Sequence, residues 1–466
     1  MKRFIRNTAV MAGGAAGSQL LLILATPLIT RLYTPQDFGA LAIYIGLLAL
    51  FCVIASFRYE MAIPIPEEDE EAVDLVVLSL FLVGLTALVS CLLIIIFGEN
   101  IAFFLKEPRL KDLLWVLPLG ILFVGIYQIF NKYAIREKLF KNVAITRINQ
   151  SITILVIQLL GYKLGAIALI LAQSIGQGTG ALTLSKNILS RLRFSNRKRI
   201  ILVAKKYRRF PLYSSWAALL NTSGAQLPPL AFASLFSPQV AGYYTLAFGL
   251  VTAPITLLSN AVGNVFLSDA AKAWRNGSLG PTISFVHDRL ANVAMPVILT
   301  LVFVIPDIFR WIFGEQWATA GLFAQWMLPW IYLVFVTAPL STTYEVIGKQ
   351  SEYLIFQFAL FTVRLCSILY GAYLNDLKYT IVLFSLSSAL CWLFFLLRLY
   401  ALIGLHISHA ARVTIKAFLI GIFCATPCLL GVMLGAEIKI LFGLIIISLL
   451  ICGINAFSIM RTVIRG

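Results

Sequence analysis

Charged residues are scarce in this chain of 466 residues. Asp, Glu, Lys and Arg together make up 12% of it and hydrophobic residues 60%, whereas a soluble globular protein carries about 25% charged residues. No hydrophilic stretch is long enough to form a separate soluble domain. The composition argues against an ordinary soluble protein and indicates one that is built for a lipid bilayer.

Residue patterns that carry chemistry are equally scarce. The chain has three histidines, His287, His406 and His409, all in predicted loops or at helix ends. It has no HExxH, no Walker-type loop and no Gly-x-Ser-x-Gly. Its seven cysteines fall within apolar segments, and an odd number there is no disulfide framework. The sequence therefore predicts no enzyme, no metal site and no cofactor.

Long apolar segments, in contrast, fill the chain. A membrane-spanning helix needs about 20 predominantly apolar residues. The sequence predicts an all-α polytopic membrane protein with about 14 transmembrane helices, near 8–30, 38–62, 74–98, 113–131, 144–163, 165–185, 211–234, 240–268, 290–313, 320–345, 353–374, 379–402, 413–433 and 438–460. A basic N-terminus precedes the first span, as in signal peptides. Cleavage would remove part of a repeat unit, so we expect the first helix to be retained.

The second half of the chain repeats the first. The segment LYTPQDFG at 32–39 is echoed 203 positions later by LFSPQVAG at 235–242, and the match continues to Gly46 and Gly249. Each copy joins the end of one apolar segment to the start of the next. Such repeats are typical of two-lobed transporters. We predict six-helix lobes at 1–185 and 211–402, a basic cytoplasmic linker at 186–210 and a terminal helix pair at 403–466.

The distribution of Lys and Arg sets the predicted orientation. With both termini cytoplasmic, most basic residues fall on cytoplasmic segments, as the positive-inside rule requires. The net charge of +17 has no aromatic or motif pattern typical of nucleic-acid binding, so membrane lipid head groups are the expected contacts. The acidic run at 67–71 is predicted to pair with the basic linker.

Arg364 stands near the middle of a predicted span, with no acid within one helical turn. A charge in hydrocarbon costs at least about 2.5–3.5 kcal/mol, so it normally faces a wet cavity or a partner. Arg suits phosphate recognition because it keeps its charge and presents forked donors. The alternative is a buried pair with Glu60 or Glu345. Deeper in a neighbouring span, Trp326 and Trp330 either stack on sugar rings or pack.

A second group of charges, Arg58 and Glu60, lies near the inner end of the second span. The repeat places no charge at the equivalent positions 261–263. A charged pair that each lobe needed for its structure would occur in both repeats. Arg58 and Glu60 are therefore candidate substrate-binding residues. The alternative is that their side chains snorkel to the membrane interface.

Basic and amide side chains complete the candidate set. Lys132, Arg136 and Arg147 form a predicted cytoplasmic cluster that either receives an anionic head group or anchors the orientation. Amides gather in the second lobe's first two spans, where they face sugar hydroxyls or bond between helices. These amides are Asn221, Gln226, Asn260 and Asn264.

Two motifs together resemble a known family. Tyr33-x-Pro35-x-x-Phe38-Gly39, then Arg58-Tyr59-Glu60-x-Ala62-Ile63 and Pro66, is similar to the opening signature of the polysaccharide-biosynthesis flippases. These are the O-antigen and capsule repeat-unit translocases of the multidrug/oligosaccharidyl-lipid/polysaccharide exporter superfamily. The resemblance is best over about residues 1–160, and the rest of the chain matches in the number, length and layout of its spans rather than in motifs.

The resemblance implies two six-helix bundles with a terminal helix pair in a bacterial plasma membrane. It implies as substrate a short oligosaccharide on undecaprenyl pyrophosphate, moved from the inner to the outer leaflet by alternating access. It also implies a polymerase and a chain-length regulator as partner proteins, and coupling to H⁺ or Na⁺. The alternatives are a multidrug or metabolite exporter of the same superfamily, a peptidoglycan-precursor flippase and, from another class, a membrane-embedded polymerase.

Overall fold

The computed structural model describes residues 2–185, 196–435 and 438–465, and this part of the chain is helical, with no strand. Its long helices are α1 (Lys2–Leu32), α2 (Pro35–Ile54), α3 (Asp69–Phe104), α4 (Leu117–Arg136), α5 (Phe140–Leu160), α6 (Ala166–Ser185), α7 (Ser215–Leu235), α8 (Pro238–Arg275), α9 (Leu279–Phe313), α10 (Ala318–Thr337), α11 (Gln350–Tyr373), α12 (Leu377–Leu402), α13 (Ile407–Met433) and α14 (Ile438–Arg465). The linker helix, Arg197–Lys206, precedes α7. An all-helical fold satisfies backbone groups within each segment, as a bilayer demands.

Twelve helices in the described ranges are long and apolar enough to cross a membrane. The two long helices outside this set are α7 and α8. The sequence of α7 carries Asn221, Gln226 and the consecutive Pro228 and Pro229, which lower its hydropathy. The predicted class, an all-α polytopic membrane protein, is confirmed, and the protein is a multi-pass membrane protein.

The first compact unit comprises Met1–Thr245. In it α5 packs against α1 and α6, α4 lies against α3 and α6, and α2 lies against α7. The linker helix packs on α3. Large apolar side chains such as Leu24, Phe103 and Leu160 are exposed on the helices. Such exposure suits helices that are solvated by lipid.

The second compact unit comprises Leu246–Gly466. Its α9 packs against α10, α13 and α14, while α12 packs against α10 and α11. Val304, Cys428, Leu441 and Ile445 form a buried cluster among α9, α13 and α14. This arrangement brings α10, α11 and α12 together around the middle of α11, where Arg364 lies.

The first copy of the repeat begins a helix in the way its sequence dictates. Thr34 caps α2 by accepting a hydrogen bond from the Asp37 amide, the Asp37 carboxylate accepts one back from the Thr34 amide, and Pro35 occupies the first turn. This is a capping box with proline where its missing N–H costs nothing. The predicted second span, 38–62, is too long at its C-terminal end, because α2 ends at Ile54.

Candidate substrate site

Arg364 projects from α11 onto aromatic faces of two neighbouring helices. Its guanidinium carbon lies 4.7 Å from the ring centroid of Trp330 on α10 and 5.4 Å from that of Phe384 on α12. Its Nε donates a hydrogen bond of 3.0 Å to Ser388 Oγ. A cation on an aromatic face gains about 0.5–2 kcal/mol, with the larger values where water is excluded. The site therefore retains a permanent cation within a membrane-spanning helix.

The rings that support Arg364 are themselves held in place. Trp330 is 3% exposed, stacks on Phe248 at 6.0 Å and meets Phe384 edge-on at 6.4 Å. Paired aromatic rings prefer such offset and T-shaped geometries. Trp330 thus has the packing role that was one of its two predicted roles, and it fixes the surface on which the guanidinium lies.

Four buried polar atoms on the same helices have no hydrogen-bond partner within the part of the chain that the structure describes. These are Trp330 Nε1 and Tyr332 Oη on α10, and Ser385 Oγ and Trp392 Nε1 on α12. An unmade buried hydrogen bond costs about 1–3 kcal/mol. Both helices that support Arg364 thus carry buried polar groups whose hydrogen-bonding capacity is unused.

Arg58 and Glu60 lie in a tight turn that follows α2. Phe57 and Arg58 both have positive φ, at 49° and 64°, and Tyr59–Ala62 forms a 3₁₀ turn. Glu60 is 4% exposed, accepts a short hydrogen bond from Ser56 Oγ and pairs with Arg58 at 3.7 Å. Left-handed backbone is uncommon for residues other than glycine and marks a constrained segment. The structure brings these two candidates together.

The turn also holds the linker helix. The Tyr59 hydroxyl donates to the Ala204 carbonyl at 3.0 Å, and burial raises the pKa of the Tyr59 phenol. Between them, Arg58, Tyr59 and Glu60 thus make contacts that order this end of the first unit. Their predicted role as substrate-binding residues stays a prediction.

The acidic start of α3 pairs with the linker helix, and this prediction is confirmed. Arg199 binds Glu70 at 2.6 Å and Asp74 at 3.0 Å, while Lys206 binds Glu71 at 2.6 Å. The hydrogen bond to Glu70 raises the pKa of the Arg199 guanidinium. The acids lie in a helix rather than in the predicted loop, because α3 begins at Asp69, and carboxylates stabilise a helix N-terminus. The predicted linker residues 186–195 lie outside the described ranges.

The predicted head-group cluster of Lys132, Arg136 and Arg147 is divided between α4 and α5, and its members differ in exposure. Arg136, at the end of α4, donates to the Pro66 and Glu67 carbonyls and pairs with Asp69 at 3.0 Å. Lys132 is half-buried on α4, and Arg147 is exposed on α5. Arg136 thus holds the segment that leads into α3. The role of Lys132, Arg136 and Arg147 in receiving a head group stays a prediction.

The predicted amides lie on two helices. Asn221 is exposed on α7 and Gln226 is half-buried one turn further along that helix. Asn260 and Asn264 lie on α8, and their side chains fall outside the part that the structure describes. Of the predicted site residues, Asn260, Asn264 and Arg364 belong to the second unit, and the others belong to the first.

The sequence did not reveal several polar contacts between helices. In the first unit, the Tyr44 hydroxyl lies 2.6 Å from Ser174 Oγ, and Gln150 donates to Gln177 at 3.2 Å. In the second unit, His287 Nδ1 lies 2.7 Å from the Tyr400 hydroxyl. In each pair the two residues are distant in sequence, so no local pattern identifies the pair.

Comparisons with known proteins agree with this architecture. The family model described as "Polysaccharide biosynthesis protein" matches residues 28–321. No curated protein matches the chain. Among solved structures, the fold is similar to that of "Lipid II flippase MurJ, inward closed conformation", with a TM-score of 0.74, 15% identity, and coverage of 97% of this chain and 99% of that chain.

Two further neighbours are MATE transporters. A multidrug resistance MATE family transporter of the MOP superfamily, in its inward-facing conformation, gives a TM-score of 0.63 at 14% identity, covering 85% of this chain and 98% of that chain. A mutant of the Vibrio cholerae MATE transporter VcmN gives 0.52 at 11% identity, covering 88% and 98%. These likenesses establish the fold. Together with the family match over most of its length, they show that the chain belongs to the polysaccharide biosynthesis protein family and has the fold of the MOP-superfamily transporters.

Proposed function

We propose that this protein is a flippase for undecaprenyl-pyrophosphate-linked oligosaccharide repeat units in surface polysaccharide biosynthesis, of the O-antigen, capsule or exopolysaccharide type. It moves them from the inner to the outer leaflet of a bacterial plasma membrane by alternating access. The family and the fold support a lipid-linked flippase or exporter. Sugars and pyrophosphate need such a protein, because each unpaired polar group in hydrocarbon costs several kcal/mol.

The observation that carries the proposal is Arg364 on its aromatic support. A permanent cation in a spanning helix attracts a pyrophosphate and not a cationic drug. The rings of Trp330 and Phe384 lie against the guanidinium group and carry no net charge of their own. The pyrophosphate would bind this cation, the sugars would meet amides and hydroxyls, and the polyprenyl tail would stay in the bilayer.

Other parts of the proposal follow from the sequence. Both termini are cytoplasmic, Arg58, Glu60, Arg147, Asn221, Gln226, Asn260 and Asn264 contribute to substrate binding, and Lys132 and Arg136 lie at the head-group entry. Transport is coupled to H⁺ or Na⁺, and a polymerase with a chain-length regulator acts on the units delivered. No nucleotide-binding pattern supports direct pumping by ATP.

A deletion strain tests the proposal. Complete lipid-linked repeat units are expected to accumulate on the cytoplasmic leaflet, and the intact gene is expected to rescue surface polysaccharide. Arg364→Ala is expected to fail in rescue while the protein accumulates normally in the membrane. Arg364→Lys is expected to rescue weakly, since an ammonium group keeps the charge but lacks the planar fork. Thr362→Ala, an exposed position on the same helix, is the control and is expected to rescue fully.

The same strain separates the alternatives. Unchanged polysaccharide with heightened drug sensitivity would replace the proposal with a multidrug exporter. Loss of peptidoglycan precursor export would replace it with a peptidoglycan-precursor flippase. Complete units stranded on the outer leaflet would indicate a polymerase. Full rescue by Arg364→Ala would remove the cationic site even if the flippase assignment held.

A further inference from the structure

A groove between α11 and α12 opens on the surface of the second unit. Its volume is about 440 Å³, and it is lined by apolar side chains of both helices, among them Ile355, Phe356, Leu390, Phe394 and Phe395. Several of these side chains are exposed, as expected for a surface that is solvated by lipid. Ligand sites are typically clefts of about 300–1,000 Å³ with mostly apolar walls. The α11–α12 groove therefore has the size and the walls of a site for an apolar chain.

Packed aromatic rings support the walls of this groove. Between ring centroids, Phe395 lies 4.6 Å from Phe356 and 5.5 Å from Trp392. Tyr344, which precedes α11, stacks on Phe395 at 5.2 Å, and both rings are buried. Because these rings hold one another in place, the groove exists before any ligand binds. A ligand does not have to order its walls, which lowers the free-energy cost of binding.

One end of the groove is charged. Glu352, in the first turn of α11, accepts hydrogen bonds from Arg398 Nε at 3.1 Å and from Arg398 Nη2 at 2.9 Å. Lys349 Nζ lies 3.2 Å from the other oxygen of the same carboxylate. The exposed Glu345 forms no ion pair with either cation in the described part of the chain. Two cations thus share one carboxylate, which leaves one positive charge in excess.

Both cations at this end are accessible to a ligand. The side chains of Arg398 and Lys349 are about half exposed. A guanidinium group has five N–H donors, and Glu352 takes two of those of Arg398. Phosphate oxygens accept such donors in charge-assisted hydrogen bonds. The charged end can therefore bind a phosphate while the ion pair with Glu352 stays in place.

The charged end and the apolar groove lie in the order of the two parts of a phospholipid. Glu352 begins α11 and Arg398 lies near the C-terminal end of α12, so in the orientation proposed above both face the cytoplasm. The apolar walls continue from there into the spanning parts of the two helices. Basic pockets between spanning helices on the cytoplasmic side are typical sites for anionic lipid head groups.

We propose that the α11–α12 groove binds one anionic phospholipid of the cytoplasmic leaflet, with its phosphate on Arg398 and Lys349 and one acyl chain along the groove. A single acyl chain fits this volume better than a polyprenyl tail, which is several times longer. The occupant is therefore a lipid of the bilayer and not the transported unit. The binding does not rest on the proposed function, and only the leaflet follows from the proposed orientation.

The bound lipid would act on the helices that position Arg364. Cys391 lines the groove and lies one helical turn from Ser388, the residue that accepts the hydrogen bond of Arg364. A lipid that contacts both α11 and α12 would hold these helices together, and a ligand that binds only the folded protein stabilises it. The site thus supports the surroundings of Arg364 without contact to the substrate.

Lipid binding to the purified full-length protein tests the proposal. Native mass spectrometry in a neutral detergent is expected to show phosphatidylglycerol bound about fivefold or more tightly than phosphatidylcholine, which has no net charge. Arg398→Gln is expected to lower the affinity for phosphatidylglycerol about tenfold, because charge-assisted hydrogen bonds to the phosphate are lost. Arg412→Gln removes an exposed cation near the start of α13 and is the matched control, with no expected change. Equal losses in the two variants, or equal affinities for the two lipids, would overturn the proposal.

A second variant leaves the charged end intact. Ala359 lines the groove, and Ala359→Phe is expected to fill it. Added phosphatidylglycerol is expected to raise the thermal unfolding temperature of the wild type and not that of Ala359→Phe. Thr362→Phe, at an exposed position of α11 outside the groove lining, is the control and is expected to respond as the wild type does. An undiminished response of Ala359→Phe would contradict the site.

Two native cysteines locate the lipid without any substitution. Cys391 lines the groove, whereas Cys366 is exposed on α11 outside the groove lining. Phosphatidylglycerol is expected to slow the alkylation of Cys391 by a small maleimide several-fold and to leave that of Cys366 unchanged, as quantified on the two peptides by mass spectrometry. Equal protection of both thiols would mean that lipid coats the protein without a site. Protection of Cys391 by undecaprenyl phosphate at lower concentrations than by phosphatidylglycerol would assign the groove to the polyprenyl carrier and overturn the proposal.

Discussion

Arg364 and Arg199 show two ways in which this protein accommodates a cation. Arg199, on the linker helix, pairs with two carboxylates on α3, Glu70 and Asp74. Arg364, in the middle of a spanning helix, lies on the faces of two aromatic rings and binds one hydroxyl. A carboxylate carries a full opposite charge, whereas a ring face carries no net charge. The comparison distinguishes a cation that fastens helices together from one that lies on aromatic rings and, in the proposed function, binds the pyrophosphate.

Among the substitutions that test this comparison, removing the aromatic ring under Arg364 is expected to have the largest effect. Trp330→Ala is expected to destabilise the protein by about 3 kcal/mol, because a large buried side chain leaves a cavity among α10, α11 and α12. It also removes the ring face under Arg364, so export is expected to fail in whatever protein still folds. Thermal unfolding in detergent and complementation of the deletion strain are the measurements.

A ring-conserving variant separates the two effects. Trp330→Phe keeps an aromatic face and much of the volume, so it is expected to restore most of the export while lowering stability only moderately. If Trp330→Phe and Trp330→Ala export equally poorly at equal membrane levels, the ring face does not support the guanidinium in the way described.

The Arg58–Glu60 pair is intermediate between the exposed Arg199–Glu70 pair and the Arg364 site, because the Glu60 carboxylate is buried and its cationic partner is partly exposed. Glu60→Ala is expected to cost about 1–3 kcal/mol, because Arg58 loses its carboxylate and Ser56 its acceptor. The 3₁₀ turn that presents Tyr59 to Ala204 would loosen, so protease cleavage near the linker helix is expected to accelerate. Arg58→Ala is the informative companion. A purely structural pair predicts similar losses of export for both variants, whereas a substrate site predicts a greater loss for Arg58→Ala at equal stability.

The sequence was sufficient for the parts of the fold that depend on local patterns. Apolar length located the long helices, and the Thr-Pro-x-Asp pattern placed the start of α2, because a capping box needs only neighbouring residues. The acidic run and the basic linker were correctly paired, since opposite charge at one membrane face leaves few other partners. Arg364 could be identified as a candidate because a charged side chain within a membrane span has a high free-energy cost.

The remainder depends on contacts that local patterns do not contain. The predicted second span, 38–62, extends through Arg58. In the structure, Phe57 and Arg58 adopt left-handed backbone conformations, and the sequence has no glycine there to indicate such a turn. The support of Arg364 comes from α10 and α12, and nothing near Arg364 in sequence identifies Trp330 or Phe384 as its neighbours. The repeat is evident in the sequence, whereas the close approach of Gly39 to the Pro238 carbonyl is visible only in the structure.

The smallest expected effects belong to Arg199 and Lys206, and they sharpen the comparison with Arg364. Arg199→Ala is expected to preserve export and to lower thermal stability by less than Trp330→Ala does, because Arg199 is partly exposed and its ion pair with the exposed Glu70 is screened by salt. Lowering the ionic strength is expected to widen the difference between wild type and variant. Arg199→Ala is expected to exceed Lys206→Ala in effect, since Asp74 is 1% exposed and its carboxylate loses a partner, while the side chain of Glu71 is 15% exposed. A loss of export by Arg199→Ala equal to that by Arg364→Ala would mean that cations held by carboxylates and cations held by rings serve transport alike, and the distinction between them would fail.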